Sequence, residues 1–182
     1  MKATGIVRRI DDLGRVVIPK EIRRTLRIKE GTPLEIFTDR EGEVILKKYS
    51  PIGELSIFAR EYAEALTQTT GMLSCITDHD QVVAAAGNGS REFSGKEISR
   101  ELEEAISERT GKYLNGRDSA KIPVINDQQA GIFSQVIQPI ISSGDAIGAV
   151  ILMGKNEKDI MGDAERMLVQ TAAGFLGRQM EQ

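Results

Sequence analysis

The first fifty residues combine four short strand patterns with one short helix pattern, and together these leave little room for a core. Alternating apolar residues predict the strands, which cover residues 4–10, 15–18, 33–38 and 43–48. Pro19, followed by Ile22 and Leu26 four residues apart, predicts a short helix between the two hairpins. A segment of this size lies near the lower limit for folding alone, so its apolar faces need a partner. The pattern therefore predicts a dimer in which this segment is buried against a second copy.

The same segment carries the basic excess of the chain. Residues 1–50 contain 12 Lys and Arg against 8 Asp and Glu, whereas the whole chain has a net charge of −3. Contacts to phosphates depend on local charge more than on the total, so the N-terminal segment is the part that is suited to nucleic acid. The acidic remainder is expected to have a different role.

Three motifs in this segment resemble the AbrB-type transition-state regulators: TGIVR at 4–8, LGRVVIP at 13–19 and RRTL at 23–26. The resemblance covers residues 1–50. It implies a swapped-hairpin barrel in which two chains exchange strands, and it implies binding of double-stranded DNA. The family's DNA-contacting arginines fall, motif for motif, on Arg8, Arg15, Arg23 and Arg24, and Arg9 stands where the family often has lysine, which keeps the charge. These five residues are expected to bind DNA and are called the arginine set below.

The chemistry of arginine agrees with this assignment, because its planar guanidinium can bridge phosphates or bind guanine edges with two hydrogen bonds. The alternative is a solvated face in which these arginines pair with Asp11, Asp12 and Glu21. The complete set of motifs favours DNA. No operator sequence follows, since members of this family are thought to recognise DNA shape as well as bases.

Swapped-hairpin domains also occur in antitoxins, which bind an operator and neutralise a toxin with a short, acidic, disordered tail. Here residues 51–182 have enough periodic apolar residues to form a folded domain, which argues against an antitoxin. An antitoxin-type protein is kept as the alternative function. A sensor whose N-terminal part only dimerises is a further alternative, against which the arginine set argues.

Residues 51–54 form a short connector, and residues 55–182 are predicted to form a second domain. Apolar stripes predict helices over 54–68 and 163–180, and strand patterns occur at 72–78, 82–86, 134–141 and 146–153, with a further helix over 95–108. This order is similar to a GAF domain, so the chain as a whole is expected to be α+β. The terminal helices are expected to mediate dimerisation, although their stripes could equally cover only their own core.

An AbrB-type domain followed by a GAF-like domain is similar to the transcriptional regulators of late spore development. The resemblance implies an activator or repressor of late sporulation genes that assembles from dimers into a homotetramer. GAF domains usually enclose a small molecule beside a loop and helix, here at about 87–132. The polar candidates in that region are Asn88, Ser90, Arg91, Lys112, Asn115, Arg117 and Asp118. A surface region without a ligand is an equally open interpretation, and no class of ligand can be named.

Residues for catalysis or metal binding are scarce. Cys75 is the one cysteine, so the second, resolving thiol needed for methionine sulfoxide reduction is missing. Cys75 is expected to be buried. His79 is the one histidine, which excludes a zinc site with two or three histidines within one chain. We therefore expect no enzymatic activity, no cofactor and no metal. Without a signal peptide or a long apolar run, a cytoplasmic location is expected.

Overall fold

The computed structural model describes residues 5–50, 52, 56–116, 120–129 and 131–181. The chain divides into two compact units between Tyr49 and Ser50. Of the predicted connector at 51–54, only Ile52 is described, and its side chain is fully buried in the core of the C-terminal unit. The domain bounds 1–50 and 55–182 stay a prediction.

The N-terminal unit contains one helix and one regular hairpin. Helix α1 spans Lys20–Thr25, and strands β1 (Leu34–Thr38) and β2 (Val44–Lys48) pair in antiparallel register from Leu34↔Lys48 to Thr38↔Val44. The predicted helix and second hairpin are therefore confirmed.

The first predicted hairpin is different in the single chain. Residues 5–10 and 15–18 form no regular strand, although the turn between them is formed and the Asp11 N–H donates to the Arg15 carbonyl at 3.1 Å. No closed barrel is present in the part of this unit that is described. Alternating residues predict an extended backbone, but a regular strand also needs a neighbouring strand, and the family resemblance assigns that neighbour to a second chain.

A core is almost lacking in the N-terminal unit of one chain. Pro19 is the one buried residue among residues 5–49, and Val7 is 86% exposed. Other large apolar side chains that are also exposed include Ile10, Leu13, Val16, Val17, Ile36, Val44 and Leu46. Apolar surface of this extent favours burial against another chain.

The C-terminal unit contains a five-stranded antiparallel sheet in the order β4-β3-β7-β6-β5. Its strands are β3 (Leu73–Thr77), β4 (Val82–Ala86), β5 (Lys112–Leu114), β6 (Ser134–Ser142) and β7 (Asp145–Gly154). Its helices are α2 (Ser56–Thr70), α3 (Arg100–Ser107) and α4 (Asp163–Gln179), with a 3₁₀ turn at Ser90–Glu92. The terminal helices and the two predicted pairs of strands are confirmed, whereas β5 was not predicted.

The sheet is covered on both faces. Helices α2 and α4 pack on one face through residues such as Leu66 and Leu176, and helix α3 packs on the other through Leu102. Strand β7 lies at the centre, and all of its residues after Asp145 are buried. This explains why its sequence is a nearly continuous apolar run.

Helix α4 lies unusually close to strand β6. A Cβ atom built at Gly177 would overlap the backbone carbonyl of Ile141. Only glycine leaves room for this approach, so Gly177 sets the distance between the helix and the sheet.

Candidate nucleic-acid interface

The turn between residues 11 and 15 fixes the position of Arg15. The Asp11 carboxylate accepts hydrogen bonds from the backbone N–H of Leu13 (3.0 Å) and of Arg15 (2.8 Å), and from Arg15 Nε (2.8 Å). Gly14 completes the turn with a φ of 75°. The Arg15 side chain nevertheless stays 70% exposed. Asp11 uses Nε, and no other described residue bonds the terminal amino groups of the guanidinium, so these groups can donate to an outside acceptor.

Asp11 is held in its ionised form by these contacts. The backbone hydrogen bond from Arg15, followed by the bond from the Arg15 side chain, holds the pKa of Asp11 below its ordinary value. Both bonds favour the carboxylate over the neutral acid. The pairing with carboxylates that the alternative interpretation required is thus found between Arg15 and Asp11, and it does not bury the arginine.

The β1–β2 hairpin repeats this turn with the opposite charge. The Asp39 carboxylate accepts from the N–H groups of Glu41 (3.0 Å) and Glu43 (2.9 Å), and Gly42 has a φ of 83°. The carboxylates of Asp39, Glu41 and Glu43 come within 4.8 Å of one another and are exposed. This end of the hairpin would repel phosphates.

Helix α1 carries Arg23 and Arg24, which differ in their surroundings. Arg24 is exposed, whereas Arg23 is half-buried and its Nε is a buried donor without a hydrogen-bond partner among the described residues. Arg24 therefore extends into solvent, whereas Arg23 does so only partly. A buried guanidinium donor is costly unless an acceptor arrives with a bound molecule or a second chain.

Arg8 and Arg9 lie in the segment that forms no regular strand, and both are exposed. In extended backbone, consecutive side chains point to opposite sides, so a flat DNA surface would meet one of the two more directly. The arginine set thus comes from three local structures of one unit: the extended segment, the Asp11 turn and helix α1.

The region expected to hold a ligand in the C-terminal unit is occupied by structural contacts. The Asn88 carbonyl accepts from Lys155 Nζ at 2.9 Å, the Asn115 side chain bonds the backbone of Met161 in both directions at 2.9 Å, and Lys112 pairs with Glu108. Ser90 and Arg91 form part of the 3₁₀ turn, and Arg117 and Asp118 lie outside the described residues. Buried apolar side chains, including Phe93, Ile98 and Leu102, fill the space towards the sheet. The described residues therefore give no support for a polar ligand chamber here.

The outer surface of α2 and α4 carries a groove of about 540 Å³, called the terminal-helix groove below. Its lining residues are Tyr62, Met167, Gln170, Thr171, Gly174, Phe175 and Arg178. The Tyr62 and Phe175 rings pack with centroids 5.1 Å apart, and Met167 is 59% exposed. Exposed apolar side chains at the edge of an aromatic pair suit contact with another protein chain.

Cys75 and His79 lie in positions that suit a structural role. Cys75 is fully buried in β3 between β4 and β7, and burial raises the pKa of its thiol far above the ordinary value. His79 is exposed in the turn after β3.

Across the described residues, every helix is too short or too polar to cross a membrane.

Comparison with protein-family models gives one match for each part of the chain. Residues 54–181 match the model described as stage V sporulation protein T C-terminal, transcription factor. Residues 7–54 match the model described as antidote-toxin recognition MazE, bacterial antitoxin.

Individual proteins agree with this division. Stage V sporulation protein T of Bacillus subtilis (strain 168) is 53% identical over 182 residues, which cover 100% of both chains. Transition state regulatory protein AbrB of the same organism is 65% identical over 51 residues, or 28% of this chain and 52% of that protein.

Among solved structures, the GAF domain region of a putative membrane protein from Geobacter sulfurreducens PCA aligns with a TM-score of 0.55 at 18% identity. It covers 70% of this chain and 93% of that one. The expected GAF-like fold and the resemblance to AbrB are confirmed. Since the longer family model covers 54–181 and the full-length relative is 53% identical, this chain belongs to the stage V sporulation protein T family, a family of transcription factors.

Proposed function

We propose that this protein regulates transcription of late sporulation genes by holding duplex DNA with the arginine set. The observation that carries the proposal is the Asp11 turn, which fixes Arg15 at its base and leaves it 70% exposed. A guanidinium that is positioned in this way loses little conformational freedom when it binds a phosphate. The identity to stage V sporulation protein T and to AbrB supports the same proposal.

The charge distribution supports a mechanism based on phosphate contacts. Two chains would present ten arginines of the set, and the release of condensed cations from DNA would drive binding. Sequence or shape preference would then come from the few guanidinium groups that reach base edges. Nothing in this mechanism requires catalysis, in keeping with a regulatory family. A DNA target supports a cytoplasmic location.

Two surfaces support assembly into a homotetramer. The exposed apolar side chains of the N-terminal unit, such as Val7 and Val17, would be buried by a second copy of that unit. The surface of α2 and α4 that carries the terminal-helix groove would pack against the same surface of another chain, because an interface with two-fold symmetry uses one surface twice. Pairs formed through each surface would together give four chains.

The GAF fold alone supports a ligand-sensing role. Among the described polar candidates, Asn88, Lys112 and Asn115 serve structural contacts, and apolar side chains fill the neighbouring space. A ligand could change DNA binding only if its affinity differed between two arrangements of the protein. The effect of added small molecules on DNA affinity tests this role directly.

The antitoxin alternative draws on the MazE model, which matches residues 7–54 only. Residues beyond this match form a packed sheet with helices on both faces, unlike a short disordered tail. A regulator that binds DNA through its N-terminal unit agrees better with both units.

The proposal is tested by the salt dependence of duplex-DNA binding by the full chain. We expect the affinity to fall steeply with salt, and Arg15→Ala and Arg23→Ala to reduce the log–log slope by about 0.9 for each phosphate contact that is lost. Arg40→Ala is the matched control, because Arg40 is exposed in the same unit but lies beside the acidic Asp39 hairpin.

Two results would contradict the proposal. Absence of binding at low salt would exclude a DNA-binding function. An equal loss in Arg40→Ala and Arg15→Ala would show that net charge alone drives binding and would exclude a specific arginine face.

A further inference from the structure

Arg27 adopts a backbone conformation that ordinarily belongs to glycine. It directly follows the cap of helix α1 and has a φ of 52°. Its N–H donates to the Arg24 carbonyl (3.3 Å), and the N–H of Ile28 donates to the Arg23 carbonyl (2.7 Å). This pair of bonds ends a helix in the Schellman arrangement, in which glycine is preferred because a Cβ atom strains the left-handed backbone. The chain thus keeps arginine where glycine would be more stable.

Elsewhere in the described chain, a positive φ is mostly adopted by glycine. Ten described glycines have positive φ, against three other residues, Arg27, Arg109 and Ser143. Arg109 occupies the same place after helix α3, with a φ of 57°, and its guanidinium contacts the Asp145 carboxylate at 3.3 Å. An arginine at this position can therefore reach an anion beyond its own helix.

The Schellman bonds also fix Arg27 beside the arginine set. Its N–H donates to the Arg24 carbonyl, and the Arg23 carbonyl accepts from the N–H of Ile28. Three guanidinium groups therefore originate at the end of one short helix. Arg24 and Arg27 are exposed. Backbone strain that persists at a surface position close to a binding site is characteristic of a functional residue.

We infer that Arg27 is a further DNA-contacting residue, which binds a backbone phosphate of the duplex next to Arg23 and Arg24. This inference rests on the proposed DNA-binding function. It adds to the arginine set a residue that none of the three motifs includes. A phosphate is the chemical partner because the guanidinium offers paired donors and full charge to an anion.

The test uses the full chain, duplex DNA and a series of salt concentrations. Arg27→Gln should weaken binding about tenfold near 0.1 M salt and reduce the slope by about 0.9 for each Arg27 that contacts a phosphate. Arg27→Lys should keep the wild-type slope, since a phosphate accepts an ammonium as well. Arg109→Gln, which loses the same charge at the same helix position in the other unit, should bind as the wild type does.

Arg27→Gly separates DNA contact from folding. It should lose affinity as Arg27→Gln does, and it should also slow amide hydrogen exchange in helix α1 by about threefold or more, because the strain is relieved. Weaker binding by a more stable variant cannot be caused by unfolding.

Several results would overturn the inference. Wild-type affinity and slope in Arg27→Gln, while Arg15→Ala loses both, would remove Arg27 from the interface and leave the proposed function standing. Weaker binding with an unchanged slope, or a loss in Arg27→Lys equal to that in Arg27→Gln, would exclude a phosphate as the partner. Failure of the wild type to bind DNA would instead overturn the proposed function itself.

Discussion

Asp11 shows that a carboxylate can support a cationic surface. Its oxygens hold two backbone N–H groups and the Nε of Arg15, so one side chain both closes the turn and directs the arginine. The bound Asp11 has a lowered pKa, so its contribution is complete above the ordinary value of 3.8 and is lost only as the pH falls through the lower, folded value. At neutral pH, Asp11 is therefore ionised and its contribution to the turn is complete.

Asp11→Ala should weaken DNA binding by about three- to tenfold, because Arg15 loses its support and must be ordered when DNA binds. Simple electrostatics predicts the opposite sign, since the substitution removes a negative charge. The measurement is fluorescence anisotropy of labelled duplex DNA at fixed salt and neutral pH.

Asp12→Ala is the control for this prediction, because it removes a neighbouring exposed carboxylate outside the turn's hydrogen bonds. It should leave the affinity unchanged or raise it. Tighter binding by both variants would show that Asp11 acts only through its charge.

At the residue scale, motifs in the sequence predicted Arg8, Arg15, Arg23 and Arg24, and the neighbouring Arg9 completed the arginine set, but no motif showed the surroundings of these side chains. The role of Asp11 could have been found from its spacing, because Asp-x-x-Gly occurs at 11–14 and again at 39–42 with the same hydrogen bonds. The partial burial of Arg23 and the strained φ of Arg27 had no comparable signal. Both depend on how the chain continues past helix α1, which no local pattern encodes.

At the scale of elements, the sequence predicted those whose partners are close along the chain. Strands β1 and β2 are joined by a short turn and appear as expected, whereas residues 5–10 and 15–18 have the alternation of strands without a regular ladder in one chain. Strand β5 was missed because its three residues are too few for a periodic pattern, and its pairing with β6 joins residues far apart in sequence.

Gly177→Ala should destabilise the C-terminal unit by about 2 kcal/mol or more, because the new methyl group meets the Ile141 backbone, which cannot move aside as a side chain could. Urea unfolding followed by far-UV circular dichroism measures this change, since most of the described helix lies in that unit.

Gly174→Ala provides the comparison in the same helix, where a Cβ atom would meet nothing within 4 Å. It should stabilise the helix by about 0.5–1 kcal/mol through better helix propensity. Equal effects of the two substitutions would contradict the close approach of α4 to β6.

At the scale of the whole molecule, the two units differ in how much of their own core they supply. The C-terminal unit fills both faces of its sheet from one chain, while the N-terminal unit buries only Pro19 among its described residues. The sequence indicated this contrast, because four short strands and one short helix within fifty residues leave little room for a core. A ligand could not be predicted, since composition does not show whether a space is filled or empty.

Met167→Glu should reduce the mass of the proposed homotetramer from four chains to two at about 10 μM protein, because a carboxylate buried in the terminal-helix groove would lack a partner. Sedimentation equilibrium of the full chain gives the mass.

Ile160→Glu is a suitable control, since Ile160 is 61% exposed, close to the 59% of Met167, but does not line the groove. Its assembly should match the wild type. A four-chain mass in Met167→Glu would assign the second interface to another surface.

Pairing of the nearly coreless N-terminal unit with a second copy, as proposed, would make folding of the DNA-binding part a second-order process. A unit that is completed only by another copy has a folded fraction that rises with chain concentration, so dilution would inactivate it even where the C-terminal unit remained intact. Pairing through the terminal-helix groove, as proposed, would tether copies of this unit and raise their local concentration towards the millimolar range typical of linked modules. Accumulation of a few more chains per cell would then act as a threshold, which converts a gradual rise in synthesis into a sharper onset of DNA occupancy.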